Sequence, residues 1–389
     1  MINSEKLYTQ CLKWFPAFLL LLFFITEAFS KFSMVYLDGK SDIQRYVKLI
    51  VLIFFVFGIV KPLKNLLLPA LLFGIFCLGQ LFLEKSFNQE VVVGFSKLLF
   101  PIILFTYFIK HPVNEKSKSL LFKVFEYLMI FNGVLILIGL IFEIPLFNSY
   151  RFGRWGYNGL LINTSTSSYI YAIALFYFLI SLKHTFLKNW KSLFIIVCCL
   201  LTGTKIVYIA LIGSLLIYIF FYTNLNRKQR SVLLITLLSI FSVLGYIFFF
   251  HWGIFNEIRQ EQGLVSAILS YRDDLLIEQT IPFIHENWQW PNYIFGGINN
   301  LAIRSQMGFV DVFLFWGILG GIIYLFTFYK SFVPKSLVKN AIYIILILSL
   351  MVFLAGNFFE NASVAIYLLV LKEILMDRSK PFTKVTAND

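Results

Sequence analysis

Two arginines sit in a short polar stretch of an otherwise apolar chain: Arg151-Phe152-Gly153-Arg154-Trp155-Gly156-Tyr157-Asn158-Gly159. Guanidinium groups bind phosphate or pyrophosphate oxygens bidentately. Glycine at every third position lets backbone approach an anion closely and offers amide donors. The plainer reading is a turn anchored on anionic lipid head groups. Lys205 closes a second turn, Leu201-Thr202-Gly203-Thr204-Lys205. Thr204 there can cap the following helix, leaving a cation against the positive end of the helix dipole, a conflict that a bound anion resolves. The plainer reading is a lysine snorkelling to a membrane surface. Arg272 falls in a predicted helix over 264–280, where Val265, Leu269, Arg272 and Leu276 share one face. A charge on such a stripe needs a partner, either Asp273 or a ligand phosphate. Lys97 interrupts a further apolar run, where it either snorkels outward or faces an internal cavity.

Candidate bases are fewer. His285 lies among Trp288, Trp290 and Glu286, a setting in which an imidazole can stand against a sugar ring. A histidine in a loop is more often structural. Asp311, at the start of an apolar run, and Glu360, in Gly356-Asn357-Phe358-Phe359-Glu360, are the other two candidates.

The elements that must position these groups are membrane helices. Of 389 residues, 59% are hydrophobic and 14% charged, against roughly 25% charged in soluble domains. Polar surface on that scale cannot cover a soluble core, so the predicted class is an all-α, polytopic integral membrane protein. Apolar runs fall at 15–30, 47–60, 66–83, 91–109, 120–142, 160–182, 193–201, 206–222, 232–250, 309–329, 341–355 and 362–371. They predict about 12 transmembrane helices. The first, with Lys6 and Lys13 before it, reads as an uncleaved span rather than a signal peptide. One long polar segment, 251–308, separates the ninth run from the tenth, within a single membrane domain over 1–389.

The net charge of +13 comes from short connecting segments, which is a membrane-orientation signal and not a nucleic-acid footprint. Lysine and arginine concentrate in alternate connections, at Lys61 and Lys64, Lys110 to Lys118, Lys183 to Lys191, Arg227 to Arg230 and Lys330 to Lys339. With the N-terminus inside, the positive-inside rule puts both termini in the cytoplasm and the 251–308 loop outside. Arg151, Arg154, Lys205 and Arg272 then face outward, against the trend. Cys11, Cys77, Cys198 and Cys199 form no CxxC pair or Cys/His cluster, so neither a disulfide framework nor a zinc site is supported. There is no P-loop and no strand-linked Rossmann fingerprint. A late, single loop without a counterpart in the first half counts against a transporter built from paired repeats. Gly317, Gly320 and Gly321 predict close helix packing in the tenth span.

In this order the pieces resemble the Wzy-type O-antigen polymerases, within the superfamily that includes the O-antigen ligases. The resemblance covers most of the chain. It rests on the arginine and glycine stretch 151–159, on Thr202-Gly203-Thr204-Lys205, on Ser270-Tyr271-Arg272-Asp273 within the long loop, and on the run from Phe309 to Gly320. Gln306-Met307-Gly308 stands where relatives often carry Glu-Met-Asp, which leaves Asp311 as the acid there. The Arg-x10-Gly pattern of some polymerases is absent, as is the ligase-like His-Asn before the tenth span. The resemblance implies a glycosyltransferase of the bacterial inner membrane that needs no cofactor or metal. It would join undecaprenyl-pyrophosphate-linked oligosaccharide units into polysaccharide, with a chain-length regulator and membrane lipids as further partners. Arg151, Arg154, Lys205, Arg272, Lys97 and Arg304 would meet the pyrophosphate. Trp288, Trp290 and Tyr293 would stack on sugars, and His285, Asp311 or Glu360 would accept the proton. An O-antigen ligase and a lipid-linked oligosaccharide flippase are the alternatives.

Overall fold

Asparagine starts many of the helices in the computed structural model, which describes residues 4–37, 39, 41–83, 87–150, 154–251 and 253–376. The first nine are α1 (Ser4–Tyr36), α2 (Ile43–Ile59), α3 (Leu67–Leu81), α4 (Gln89–Lys110), α5 (Glu115–Phe142), α6 (Thr164–Leu182), α7 (Trp190–Leu201), α8 (Lys205–Phe221) and α9 (Arg227–Phe250). The side chains of Asn88 and Asn114 accept the amides of Val91 and Ser117, each at 2.8 Å. Asn226 forms a full capping box with Gln229 at the head of α9. Each cap satisfies amides that the helix itself cannot pair.

The predicted polar loop is itself helical. It folds as α10 (Ile254–Gln262), α11 (Leu264–Leu269), α12 (Arg272–Asp274), α13 (Ile281–Asn287) and α14 (Trp290–Phe295), with a π-helical turn over Leu275–Thr280. The last three described helices are α15 (Gly308–Phe332), α16 (Ala341–Leu354) and α17 (Ala362–Leu375). The described residues contain isolated bridges but no strand.

Every predicted apolar run is helical. Among the described residues, seven helical stretches are long and apolar enough to cross a membrane: Lys13–Tyr36, Leu63–Leu81, Gln89–Lys110, Glu115–Phe142, Thr164–Lys188, Arg227–Phe250 and Gly308–Phe332. The apolar runs in α2, α7, α8, α16 and α17 form helices of 12 to 17 residues. The architecture is that of a helical membrane protein. α6 and α17 are apolar on all sides and occupy the centre, with Tyr169 through Leu179 and Val364 through Leu371 almost wholly buried. Outer helices present large apolar side chains outward, including Phe57, Tyr127 and Ile141. α9 buries none of its residues and stands at the rim.

The connections sort into two ends. At one, Lys110 Nζ donates to Gly58 O at 2.7 Å, His184 Nδ1 lies 2.6 Å from Tyr222 O, and Val338 N donates to Leu375 O at 2.9 Å. At the other, the 148–159 connection, the α7–α8 turn and helices α10 to α14 lie together. There Ser149 Oγ donates to Thr202 O at 2.9 Å and Asn88 Nδ2 donates to Asn299 O.

One local expectation fails and another is sharpened. The single helix over 264–280 is broken, because Ser270 and Tyr271 both take left-handed φ, 57° and 65°. The break removes Arg272 from the face shared with Val265 and Leu269. The close packing expected of the tenth span is found, with Gly320 against Ile75 of α3, and Gly317 does more than allow it. It has φ 63°, kinks α15, and receives the backbone of Ile294 and Gly296 so closely that a Cβ would lie 2.4 Å from Ile294 O.

Candidate functional site

Two glycines bring Arg154 to Lys205. Gly156 has φ +144°, and a Cβ there would sit 2.6 Å from Thr202 O. Gly203 has φ +67°, and its Cβ would sit 2.4 Å from Trp155 O. Only a residue without a side chain tolerates both the angle and the approach. Ser149 N donates to Gly156 O at 2.8 Å within the first turn, and Tyr157 N donates across to Leu201 O at 2.8 Å, holding the two turns face to face. These glycines therefore admit neighbouring backbone, not a ligand as their spacing suggested. Arg151 and Gly153 lie outside the described residues.

The loop helices supply the remaining walls. The Phe255 ring, on α10, takes the Lys205 ammonium at 4.1 Å and the Arg154 guanidinium at 5.3 Å from its centroid. Arg154 also lies 5.3 Å from the centroid of the Tyr150 ring and acts on its hydroxyl. Both cations are held by the quadrupole of that ring. Thr204 does not cap α8, since its hydroxyl meets Ser168 Oγ at 2.7 Å. Lys205 Nζ instead donates to the carbonyls of Ala267 and Ile268 at the end of α11. An ammonium has three donors, so one is left.

Arg272 completes the cluster. Its Nη1 donates to Leu269 O at 3.0 Å, and its buried Nε has no hydrogen-bond partner. Asp273, the sequence-adjacent candidate, is engaged by Ser266 Oγ at 2.5 Å. Burial pushes the Arg272 guanidinium below its ordinary pKa, against the pull of Tyr169, Tyr150 and Asp311, while nearby Arg154 pushes it further down. Arg154 and Arg272 both act on Lys205 as like charges. Among the described residues, none of these three cations has a carboxylate within 4.0 Å. Three converging positive charges without a carboxylate make an anion-binding arrangement.

Asp311 is the acid nearest in influence. It is 3% exposed, accepts from Ser305 Oγ at 2.9 Å, and acts on both Arg272 and Arg304. The other candidates divide. Arg304 forms an ion pair with Glu360, their side chains 17% and 11% exposed, and Arg304 Nε donates to Leu301 O at 2.9 Å. That pair occupies both a predicted anion-binding cation and a predicted base. His285 is exposed on α13 and shares none of the cluster's contacts described above. Lys97 is exposed on α4 and acts on Lys48 of α2. Trp290 is 74% exposed. Trp288 Nε1 donates to Gly297 O at 3.0 Å, and the Trp288 ring meets Tyr293 edge-on at 5.3 Å. With Leu276 and Phe313 those two rings line an apolar hollow of about 180 Å³ beside the Gly317 kink.

Sequence reasoning missed Tyr150, Tyr169 and Phe255. Tyr150 carried a signal, standing next to Arg151 in a polar connection. Phe255 carried none, because an aromatic residue on an amphipathic loop helix reads as packing. The comparisons are silent: no family model, no curated protein and no solved structure matches this chain.

Proposed function

We propose that the chain is a polysaccharide polymerase of the bacterial inner membrane. It crosses the membrane about 12 times, with both termini cytoplasmic and α10 to α14 on the outer side. It transfers an oligosaccharide from undecaprenyl pyrophosphate to a second lipid-linked repeat unit, as its resemblance to the O-antigen polymerases implies. The observation that carries this reading is the convergence of Arg154, Lys205 and Arg272 with no carboxylate beside them.

In the proposed reaction an acceptor hydroxyl oxygen attacks the anomeric carbon of the donor. The bond from that carbon to the pyrophosphate oxygen breaks, and the electron pair leaves with the pyrophosphate. Arg154, Lys205 and Arg272 meet the charge that develops there, each charge-assisted hydrogen bond contributing about 1.5–3 kcal/mol. Asp311 takes the hydroxyl proton. Its carboxylate is oriented by Ser305 and lies within the field of Arg272. Glu360 is the weaker choice, because accepting a proton would cost it the ion pair with Arg304.

The test is a gel of surface lipopolysaccharide from a strain lacking the protein. Core carrying a single repeat unit is the expected result. Bare core with long polymer accumulating on the lipid carrier would mean a ligase. Bare core with single units trapped on the cytoplasmic face would mean a flippase. An unchanged ladder would remove the polysaccharide reading.

A further inference from the structure

α10 and α11 form a unit of their own with the outer end of α9. The three pack around Phe255, Ile258 and Ala267, a buried cluster closed by Phe248, Phe249, Ile254 and Tyr271 and separate from the main core. α9 buries none of its residues, and the side chains it lays against that core are those of Leu234 and Leu237. On the other side the unit ends at Ser270 and Tyr271, where two successive left-handed residues break the helix. A segment with so few buried apolar contacts to its surroundings opens at low cost.

The hydrogen bonds and ring contacts that join this unit to the rest of the bundle are made by the cations of the anion site. Lys205 Nζ donates to Ala267 O and Ile268 O, and lies 4.1 Å from the Phe255 centroid and 5.7 Å from that of Phe249. Arg154 stands 5.3 Å from the Phe255 centroid. Arg272, just past the break, donates from Nη1 to Leu269 O at 3.0 Å. Three cations thus hold a ring and three successive carbonyls, which close α11 and which a helix end cannot pair by itself. A multidentate anion drawing on Arg154, Lys205 and Arg272 competes for these same groups. A phosphate oxygen carries formal charge and a carbonyl oxygen only a partial one, so the exchange favours the anion. The third donor of Lys205 and the unpartnered Nε of Arg272 let the anion engage before the carbonyls are released.

We propose that α10 and α11 are a gate latched by the anion site. The Phe255 ring and the carbonyls of Ala267, Ile268 and Leu269 hold the gate against the bundle, and anion binding to Arg154, Lys205 and Arg272 releases it. This regulation rests on the polymerase reading, in which the anion is the pyrophosphate of a lipid-linked saccharide. The coupling is reciprocal: a change that unlatches the gate strengthens anion binding by the factor with which the anion favours the open state. Because α9 stands at the rim of the bundle, the released unit moves outward with little packing to disrupt.

The experiment is hydrogen exchange read by mass spectrometry on the full-length protein in phosphatidylethanolamine nanodiscs. Inorganic pyrophosphate is the probe, and its binding is followed by calorimetry in the same samples. In the wild type, saturating pyrophosphate is expected to speed exchange of the amides over 255–271 about tenfold while α6 and α17 stay unchanged. Lys205→Met is expected to reach that faster exchange without pyrophosphate. Lys205→Arg keeps the slow exchange, which separates loss of the latch from loss of fold. Pyrophosphate that binds yet leaves exchange over 255–271 unchanged, or slows it, would overturn the gate. So would a Lys205→Met protein as protected there as the wild type. Absence of pyrophosphate binding would remove the anion site and the latch together. The polymerase reading fails separately: an unchanged polysaccharide ladder in the deletion strain would sink it while a pyrophosphate-driven opening still stood.

Discussion

The two ends of the bundle treat their basic residues differently. At the end that carries both the start of α1 and the end of α17, cations find partners one at a time. Lys191 Nζ meets Glu126 Oε2 at 2.6 Å, and Tyr177 donates to the same carboxylate at 2.7 Å. Lys110 donates to a carbonyl of α2, and Lys372 donates to Ser331 O. At the opposite end Arg154 and Lys205 share the Phe255 ring, Arg154 and Arg272 both act on Tyr150, and among the described residues none of the three has a carboxylate within 4.0 Å. The chain holds enough acids in the same region to neutralise them, yet Glu360 is given to Arg304 and Asp273 to Ser266. Positive charge at the first end is a topological signal. At the second it is concentrated against a cost, as the proposed pyrophosphate site requires.

That contrast can be broken most directly at Arg272. Arg272→Ala is expected to lower polymer formation by about 100-fold or more, since it removes the guanidinium with a free donor. The polysaccharide ladder measures the loss, with membrane insertion checked by blotting. Normal polymer would take Arg272 out of the site.

The Arg304–Glu360 pair is expected to matter for stability first. Arg304→Gln alone leaves a largely buried carboxylate unpaired and should cost about 3–5 kcal/mol. Adding Glu360→Gln should recover most of that cost. Thermal unfolding in detergent of the two single variants and the double variant reads the coupling, and additive effects would mean that the pair is not formed.

Gly156→Ala tests whether the turns must touch. Its Cβ has nowhere to go but into Thr202 O, at a positive φ, so a loss of about 1–3 kcal/mol is expected together with partial loss of polymer as Arg154 shifts from Lys205. Stability and activity both near wild type would show that the close approach is dispensable.

Glu126→Gln at the other end should be the mildest. The Lys191–Glu126 side chains are 36% and 24% exposed, so the pair contributes about 1 kcal/mol or less, and polymer should be normal. A ladder as short as that of Arg272→Ala would erase the distinction between the two ends.

The apolar runs alone determined that this is an all-helical chain of membrane-crossing type, and each run became a helix. The physical reason is local: a backbone without water must pair within its own segment, so an apolar stretch long enough has only the helix available. Asparagine caps and the alternation of lysine-rich connections are equally local, and the two ends of the bundle follow that alternation. The sequence also pointed to Arg154, Lys205, Arg272 and Asp311, because charged side chains in an apolar chain are few. Tertiary structure decided which of these meet. Left-handed Ser270 and Tyr271 turned Arg272 off its predicted stripe, and glycine contacts between two distant turns set Arg154 beside Lys205. The pairing of Arg304 with Glu360, 56 residues apart, separated two candidates that sequence could only list side by side. Phe255 stayed invisible for the same reason. A ring beneath two cations is a fact about what lies across a gap, and no spacing along the chain records it.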